Sequence, residues 1–315
     1  MNEYSIVLGA ALPVFLLMLI GGVIRRLNWL TGEADNSLMQ VVINLLIPAL
    51  IFDSLLGNPA LNEMKNVIVA PIIGFLTIVG GLFIAYWLGP LFGAKETVRR
   101  RTFGFVVGIY NYGYVPIPLT LLLFDRETLG VLFLFNLGVE ISIWTIGLSL
   151  LQGKAGGRML RSAFNPPMIA VFAGLLAHYA GLQAYIPEFI SKSINLLGVS
   201  AIPLAVLLIG AMMADNLGEF DPKRGGRMVF GALFLRLGVF ALLFLLLAVV
   251  LPVSQELKRV IVLQAAMPTA TFPLIITKLY GGHVATALRA VFWTSFISLI
   301  TIPLWIQFGL RWIGE

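Results

Sequence analysis

Apolar residues occur in this chain as long blocks, with short polar, Gly- and Pro-bearing joints between them. Marked off along the chain, the blocks run about Tyr4 to Ile24, Leu38 to Leu56, Val67 to Leu88, Thr102 to Phe124 and Thr128 to Leu151. The second set runs about Pro166 to Gly181, Ile190 to Met213, Met228 to Leu251, Leu257 to Leu279 and His283 to Ile306. Most approach the ~20 residues that carry an α-helix through a ~30 Å hydrocarbon core, so the pattern predicts ten membrane spans. The sixth is short.

The fourth block is not uniform. Tyr110-Asn111-Tyr112-Gly113-Tyr114-Val115-Pro116-Ile117-Pro118 places two prolines within three residues, which deletes two backbone donors and crowds the preceding turn. The span is therefore predicted to be two half-helices with a gap, the second starting near Pro118 with free N–H groups and the positive end of its dipole. Hydrocarbon offers no partner for loose backbone, so a gap at this depth must face protein or a watered cavity. The alternative is a structural kink, but the proline doublet and Asn111 beside it favour a binding site. The ninth block carries a comparable interruption, Ala266-Met267-Pro268-Thr269-Ala270-Thr271-Phe272-Pro273.

Composition fixes the class. Hydrophobic residues make up 59% and charged residues 11%, which is an integral membrane protein in contact with lipid bilayer. There is no cysteine, so disulfides, thiolate metal sites and cysteine nucleophiles are excluded. His178 and His283 lack ligand spacing, and neither a metal nor another cofactor is expected. The net charge of +6 is read as basic loops at an anionic membrane face, not as nucleic-acid binding. Arg25 and Arg26 follow the first block, the reverse of a signal peptide. Loops after odd-numbered spans hold twelve basic residues, Arg25, Arg26, Lys95, Arg99, Arg100, Arg101, Lys154, Arg158, Arg161, Lys223, Arg224 and Arg227. The remaining joints and the tail hold six, Lys65, Arg126, Lys192, Lys258, Arg259 and Arg311. This bias predicts a cell-membrane protein, of the bacterial inner-membrane kind, with both termini extracytoplasmic.

The chain also repeats itself. Pro48 and Pro203 are 155 positions apart, as are Pro118 and Pro273, and the matched spans hold the same ordinal place in each set of five. An odd number of spans per repeat inserts the halves with opposite orientation, giving repeats over residues 1–155 and 156–315. Paired discontinuous helices in inverted repeats are the build of secondary transporters.

Three motifs, Asn44-Leu45-Leu46-Ile47-Pro48-Ala49-Leu50, Asn111 to Pro118, and Met267 to Pro273 ahead of Tyr280-Gly281, together resemble the auxin efflux carrier family. That family includes plant PIN transporters and bacterial organic-anion or malonate permeases. The resemblance covers nearly the whole chain. It implies an all-α fold of ten helices in two inverted five-helix repeats, similar to bile-acid symporters and sodium/proton antiporters, with broken crossover helices four and nine. It further implies a scaffold of spans 1, 2, 6 and 7, often dimeric, and a mobile transport domain of spans 3–5 and 8–10. Asn111, Pro116 and Pro118 match the family's crossover motif. Glu140 stands where plant members look to carry glutamine, and the joint after the fifth span lacks their long cytoplasmic insert.

Glu140 lies near the centre of its span, where an ionised carboxylate costs several kcal/mol unless paired or wetted. It is the candidate for proton coupling, against a hydrogen-bonded Glu140 that only orders neighbours such as Asn136. Substrate-binding candidates are Tyr110, Asn111, Tyr112, Pro116 and Pro118 at the first break, and Gln264, Thr269 and Thr271 at the second. Asn44 and Asn136 complete the set from neighbouring spans. Arg236 is expected to snorkel to the cytoplasmic surface; Ser295 and Ser298 are expected to bond back to their own helix. Gly104 and Gly108 form a packing pair. Converging helix dipoles with amide and hydroxyl donors suit a small organic anion, a carboxylate such as malonate or an auxin-like acid. The mechanism expected is alternating access, elevator-type. Rivals are a cation/proton antiporter or sodium-coupled symporter of the same build, and a transporter-like receptor. Paired catalytic aspartates, a serine elbow and a His-Glu-x-x-His pattern are missing, so no enzyme is expected.

Overall fold

The computed structural model describes residues 3–154, 165–215 and 225–315. Arg158, Arg161, Lys223 and Arg224 of the orientation argument, and the boundary between residues 155 and 156, lie outside them. The described chain is helical throughout: α1 (Glu3–Arg26), α2 (Gly32–Leu55), α3 (Met64–Leu88), α4 (Thr97–Gly108), α5 (Pro116–Leu123) and α6 (Arg126–Gln152). Beyond these come α7 (Pro166–Tyr179), α8 (Glu188–Asp215), α9 (Gly226–Val250), α10 (Gln255–Ala266), α11 (Phe272–Leu279) and α12 (Val284–Ile313). Among the described residues, six helices are long and apolar enough to cross a bilayer, namely α2, α3 with the turn after it, α6, α8, α9 and α12. Their outer faces, with those of α1 and α7, expose Leu19, Leu76, Phe172, Leu196, Phe230, Leu246 and Ile300. Large apolar side chains in such number on the surface call for lipid, not water, as the neighbour. This is an all-helical membrane protein.

Helix starts follow local chemistry. Asp125 accepts the Thr128 N–H at 2.7 Å to open α6, Asn165 accepts that of Met168 at 3.0 Å to open α7, and Ser254 accepts that of Leu257 at 3.2 Å to open α10. The α2 helix begins earlier than the apolar pattern predicts, at Gly32, because Thr31 is extended and Glu33 and Asp35 fall in the first turn where acids favour helix. Pro48 does not break α2. Without an N–H at Pro48, the Asn44 carbonyl has no donor four residues on; the helix widens into a π-helical turn over Val42–Leu46 and continues. Two more π-helical turns, Ile143–Gly147 in α6 and Phe234–Val239 in α9, carry Trp144 and Arg236.

Packing relies on glycine where backbones nearly touch. A Cβ on Gly74 or Gly138 would strike the carbonyl oxygen of Phe135 or Pro71, so α3 and α6 meet main chain to main chain. The α1–α8 contact has the same character, with Gly21 against Leu207 and Gly210 against Met18. Gly104 and Gly108 pack against Tyr86 and Leu82 of α3, as expected for a packing pair. Elsewhere α2 packs on α7 and α8, α10 packs on α9, α12 and α6, and the core closes around α3, α4, α6 and α10.

Candidate functional site

Both predicted interruptions are present, and the two gaps meet. Asn111 N–H donates to the Pro268 carbonyl at 2.8 Å and Ala270 N–H donates to the Ile109 carbonyl at 3.0 Å, making an isolated antiparallel bridge between Tyr110 and Thr269. Each gap thus supplies part of what the other's backbone lacks, which satisfies unwound chain enclosed by other helices.

The half-helix starts differ from expectation. The α5 helix begins at Pro116, and both Pro116 and Pro118 fall in its first turn, where a missing N–H costs least. Ile117 N–H is spent on the Gly113 carbonyl at 2.9 Å and Leu119 N–H on the Val115 carbonyl at 3.3 Å. The expectation that the first turn of α5 presents free N–H groups is therefore corrected. Loose donors lie just upstream instead: among the described residues, the backbone N–H groups of Tyr112, Gly113, Tyr114 and Val115, and of Thr271 and Phe272, have no acceptor.

Three cavities surround the crossing. One of about 240 Å³ is lined by Asn111, Tyr112, Asn136, Glu140, Trp144 and Asn165, facing a wall that includes Ile43, Ile47 and Phe133. A second, of about 430 Å³, lies between α1, α8 and α12 and reaches Asn111, Thr271 and Arg26. The third, of about 200 Å³, runs from Thr271 and Phe272 towards Asp35 and Asn36. Tyr114 and Thr271 border all three.

Within the first cavity, the Glu140 carboxylate accepts three donors. Tyr112 gives its hydroxyl at 2.7 Å, Trp144 its indole N–H at 2.9 Å, and Asn165 its amide at 3.4 Å. Trp144 lies one helical turn beyond Glu140 on α6, and Asn165 reaches over from the start of α7, where its oxygen is already capping that helix. At the edge of the cavity, the Tyr112 carbonyl receives Asn136 at 2.8 Å and Gln264, from behind the wall, at 3.3 Å, and Gln264 also donates to Asn136 Oδ1 at 3.3 Å. The amide of Asn111 makes no hydrogen bond among the described residues and faces two of the cavities.

The sequence candidates divide accordingly. Asn111, Tyr112, Thr271, Asn136 and Glu140 are brought to the cavities. Gln264 and Thr269 are buried behind the crossing, where Gln264 Oε1 and Thr269 Oγ1 lack partners among the described residues. Tyr110 is fully buried there too, its hydroxyl 2.9 Å from Thr77 Oγ1 and its ring edge-on to Phe244. Pro116 and Pro118 are buried and shape the backbone only. Asn44 is corrected: it is exposed on α2, because the π-helical turn and helix phase give the cavity Ile43 and Ile47 instead. Ser298 bonds back to the Ser295 carbonyl at 2.7 Å, as expected, though both line the second cavity.

Arg236 is also corrected. It does not snorkel: its side chain is 0% exposed and points inward from the π-helical turn to the rings of Tyr110, Phe240 and Phe244. The distance along the helix from Arg227 allows either direction, and from the widened turn the side chain goes inward. Residues passed over in the sequence include Trp144, whose i+4 spacing from Glu140 was visible, and Asn165, whose Asn-Pro-Pro run reads as a helix cap.

Known proteins resemble the chain along most of its length. The family described as membrane transport protein matches residues 6–159 and 156–306. A protein named "Uncharacterized transporter" from Methanothermobacter thermautotrophicus is 27% identical over 299 residues, covering 93% of this chain and 95% of its own. "Uncharacterized transporter MJ1031" of Methanocaldococcus jannaschii is 24% identical, covering 93% and 96%. A Rhizobium meliloti protein named "Putative malonate transporter" is 26% identical, covering 93% of each chain. The chain belongs to the membrane transport protein family, the auxin efflux carrier family whose motifs it carries.

Proposed function

We propose that this protein is a secondary active transporter of small organic anions, binding its substrate where the two breaks meet and working by elevator-type alternating access. The observation that carries the proposal is the backbone bridge at Tyr110 and Thr269, with unengaged N–H groups at residues 112–115, 271 and 272 beside cavities. Oriented amides in a space shielded from water stabilise a negative group without supplying a counter-charge of their own. Asn111, Thr271 and Tyr112 are assigned to the carboxylate, with Asn136 and Gln264 holding the Tyr112 segment in place. Apolar walls at Ile43, Ile47 and Phe133 favour acids with a hydrocarbon or ring body, auxin-like acids as well as malonate. The name of the Rhizobium meliloti relative supports malonate as the first substrate to try.

The architecture proposed is ten spans in two inverted five-helix repeats, residues 1–155 and 156–315, with α4–α5 and α10–α11 as the broken crossover spans. Packing of α1 on α8 and α2 on α7 supports a scaffold of spans 1, 2, 6 and 7; packing of α3 on α4 and α6, and of α10 on α9 and α12, supports a transport domain from the rest. The scaffold is the proposed homodimer face. Cell-membrane placement with both termini extracytoplasmic rests on the basic loops. Glu140, bonded to Tyr112 on one side and Asn165 on the other, is the proposed proton-coupling group. The rival, a cation/proton antiporter, needs an acidic cavity, and the first cavity offers Glu140 alone.

Counterflow of radiolabelled malonate against other carboxylates in proteoliposomes, with and without pH and sodium gradients, tests the proposal. Saturable exchange is expected; flux of sodium or protons without any acid would establish the rival.

A further inference from the structure

Arg236 is a cation sealed inside the protein, 0% exposed, and no carboxylate among the described residues pairs with it. A guanidinium stays protonated in proteins, and burying an unpaired charge is strongly unfavourable. Something negative must hold it.

Its surroundings show what does. The guanidinium carbon lies 5.1, 5.4 and 5.2 Å from the ring centroids of Tyr110, Phe240 and Phe244, each presenting electron-rich π density. Nη2 donates to the Ala265 carbonyl at 3.5 Å, in the last turn of α10. Tyr110 itself stands two residues past Gly108, the last residue of α4. Both half-helices therefore end beside the residues that Arg236 touches, and each C-terminus carries roughly half a negative charge. Two such ends sum to about one charge, which one guanidinium balances.

We propose that Arg236 is the resident counter-charge of the crossing: it offsets the carbonyl ends of α4 and α10 from behind the Tyr110–Asn111 segment and thereby sets the affinity for an anion on the cavity side. Left bare, those ends repel an approaching carboxylate, or draw a metal cation from solution. With Arg236 in place the crossing carries its own cation. This inference rests on the reading of the breaks as an anion site and names the charge that makes them one.

The test compares wild type, Arg236→Lys and Arg236→Met in malonate counterflow, in sodium buffer and in choline buffer, with thermal unfolding of each purified protein as the control. Wild-type counterflow is expected to change less than about twofold on replacing sodium by choline, Arg236→Lys to stay within about threefold of the wild-type KM, and Arg236→Met to raise KM about tenfold or more. A wild-type KM in Arg236→Met, or wild-type exchange that stops in choline, overturns the proposal. If Arg236→Met cannot be obtained folded, Arg236→Lys decides: KM within about threefold supports the charge, and a rise of about tenfold assigns the role to guanidinium shape and overturns it. If wild type moves no carboxylate, the transport reading fails separately and unfolding judges this one. Arg236→Met melting below Arg236→Lys and gaining stability from sodium chloride over choline chloride supports the counter-charge; identical melting of the two variants overturns it.

Discussion

Tyr112 is gripped at both ends by α6: its hydroxyl donates to Glu140 across 2.7 Å while its carbonyl receives the amide of Asn136 across 2.8 Å. A residue of the first gap, with no helix of its own, is thereby fixed in position against a continuous one. Removing either grip has a separate expected result.

At Glu140, replacement by Gln keeps the volume and removes the group that can take up a proton. We expect Glu140→Gln to abolish the stimulation of malonate uptake by an imposed pH gradient, a drop of about tenfold or more, while exchange without a gradient persists. Unchanged gradient-driven uptake would falsify the coupling role.

At Asn136, replacement by Leu strips the Tyr112 carbonyl of its shorter hydrogen bond and leaves Gln264 to serve it alone at 3.3 Å. Losing one of the two hydrogen bonds to that carbonyl costs about 0.5–1.5 kcal/mol. Thermal unfolding in detergent should drop accordingly, and Asn136→Asp, which cannot donate when ionised, should resemble Asn136→Leu more than wild type.

The α3 helix contains an internal control. A Cβ on Gly81 comes within 2.9 Å of the Gly108 carbonyl oxygen on α4, whereas a Cβ on Gly80 meets nothing within 4 Å. Gly81→Leu is expected to destabilise by roughly 1–3 kcal/mol or more through forced separation of the helices. Gly80→Leu should be neutral or slightly stabilising through better helix propensity. Equal unfolding temperatures for the two variants would show that α3 and α4 are not packed this closely.

The proposed elevator cycle moves α6 past the joint after α2, and a covalent link between them tests it. An ideal Cβ at Gly130 stands 3.1 Å from Asn58 Cγ, close to the roughly 3 Å that separates a sulfur from its partner's Cβ in a disulfide. The chain has no cysteine, so an Asn58→Cys/Gly130→Cys pair is the sole thiol chemistry present. Oxidation should stop exchange and reduction restore it. Full exchange by the oxidised protein would show that α6 and the joint after α2 need not part during the cycle.

The ionic cluster at the joint before α6 gives a pH signature. Asp125 is pulled upward by partial burial, but the Thr128 backbone N–H and the Arg259 guanidinium, 3.0 Å away, outweigh this and hold its carboxyl below the ordinary aspartate range. A lowered value in the folded state contributes stability that is present above the unfolded value and lost as pH falls through the folded one. Unfolding temperature should therefore fall as pH drops below the ordinary aspartate range, and the fall should be shallower in Asp125→Asn.

The long apolar helices, six of them among the described residues long enough to span a bilayer, and both breaks were legible because hydrocarbon imposes length, and because Pro116 and Pro118 impose an interruption whatever surrounds them. The meeting of the breaks was legible only through the 155-residue offset of Pro48 from Pro203 and Pro118 from Pro273. Direction around a helix was harder to read. Asn44 and Arg236 both lie on π-helical turns, and a turn with an extra residue rotates every later side chain about the axis, so phase counted at 3.6 residues per turn goes astray there. Glu140 was found as a lone acid, but its donors were not, since Tyr112 and Asn165 come from parts of the chain that only the fold brings together.

A joint sewn from main chain is indifferent to which side chains decorate it. The Asn111–Pro268 and Ile109–Ala270 bonds survive any replacement at those positions that keeps the required amide, whereas the chamber walls at Ile43, Ile47 and Phe133 are side chain throughout. On the proposed transport reading, cargo is respecified by ordinary substitution in those walls while the crossing is inherited unaltered. On that reading, descendants of one ancestral carrier are free to diverge in what they move without having to reinvent how they move it.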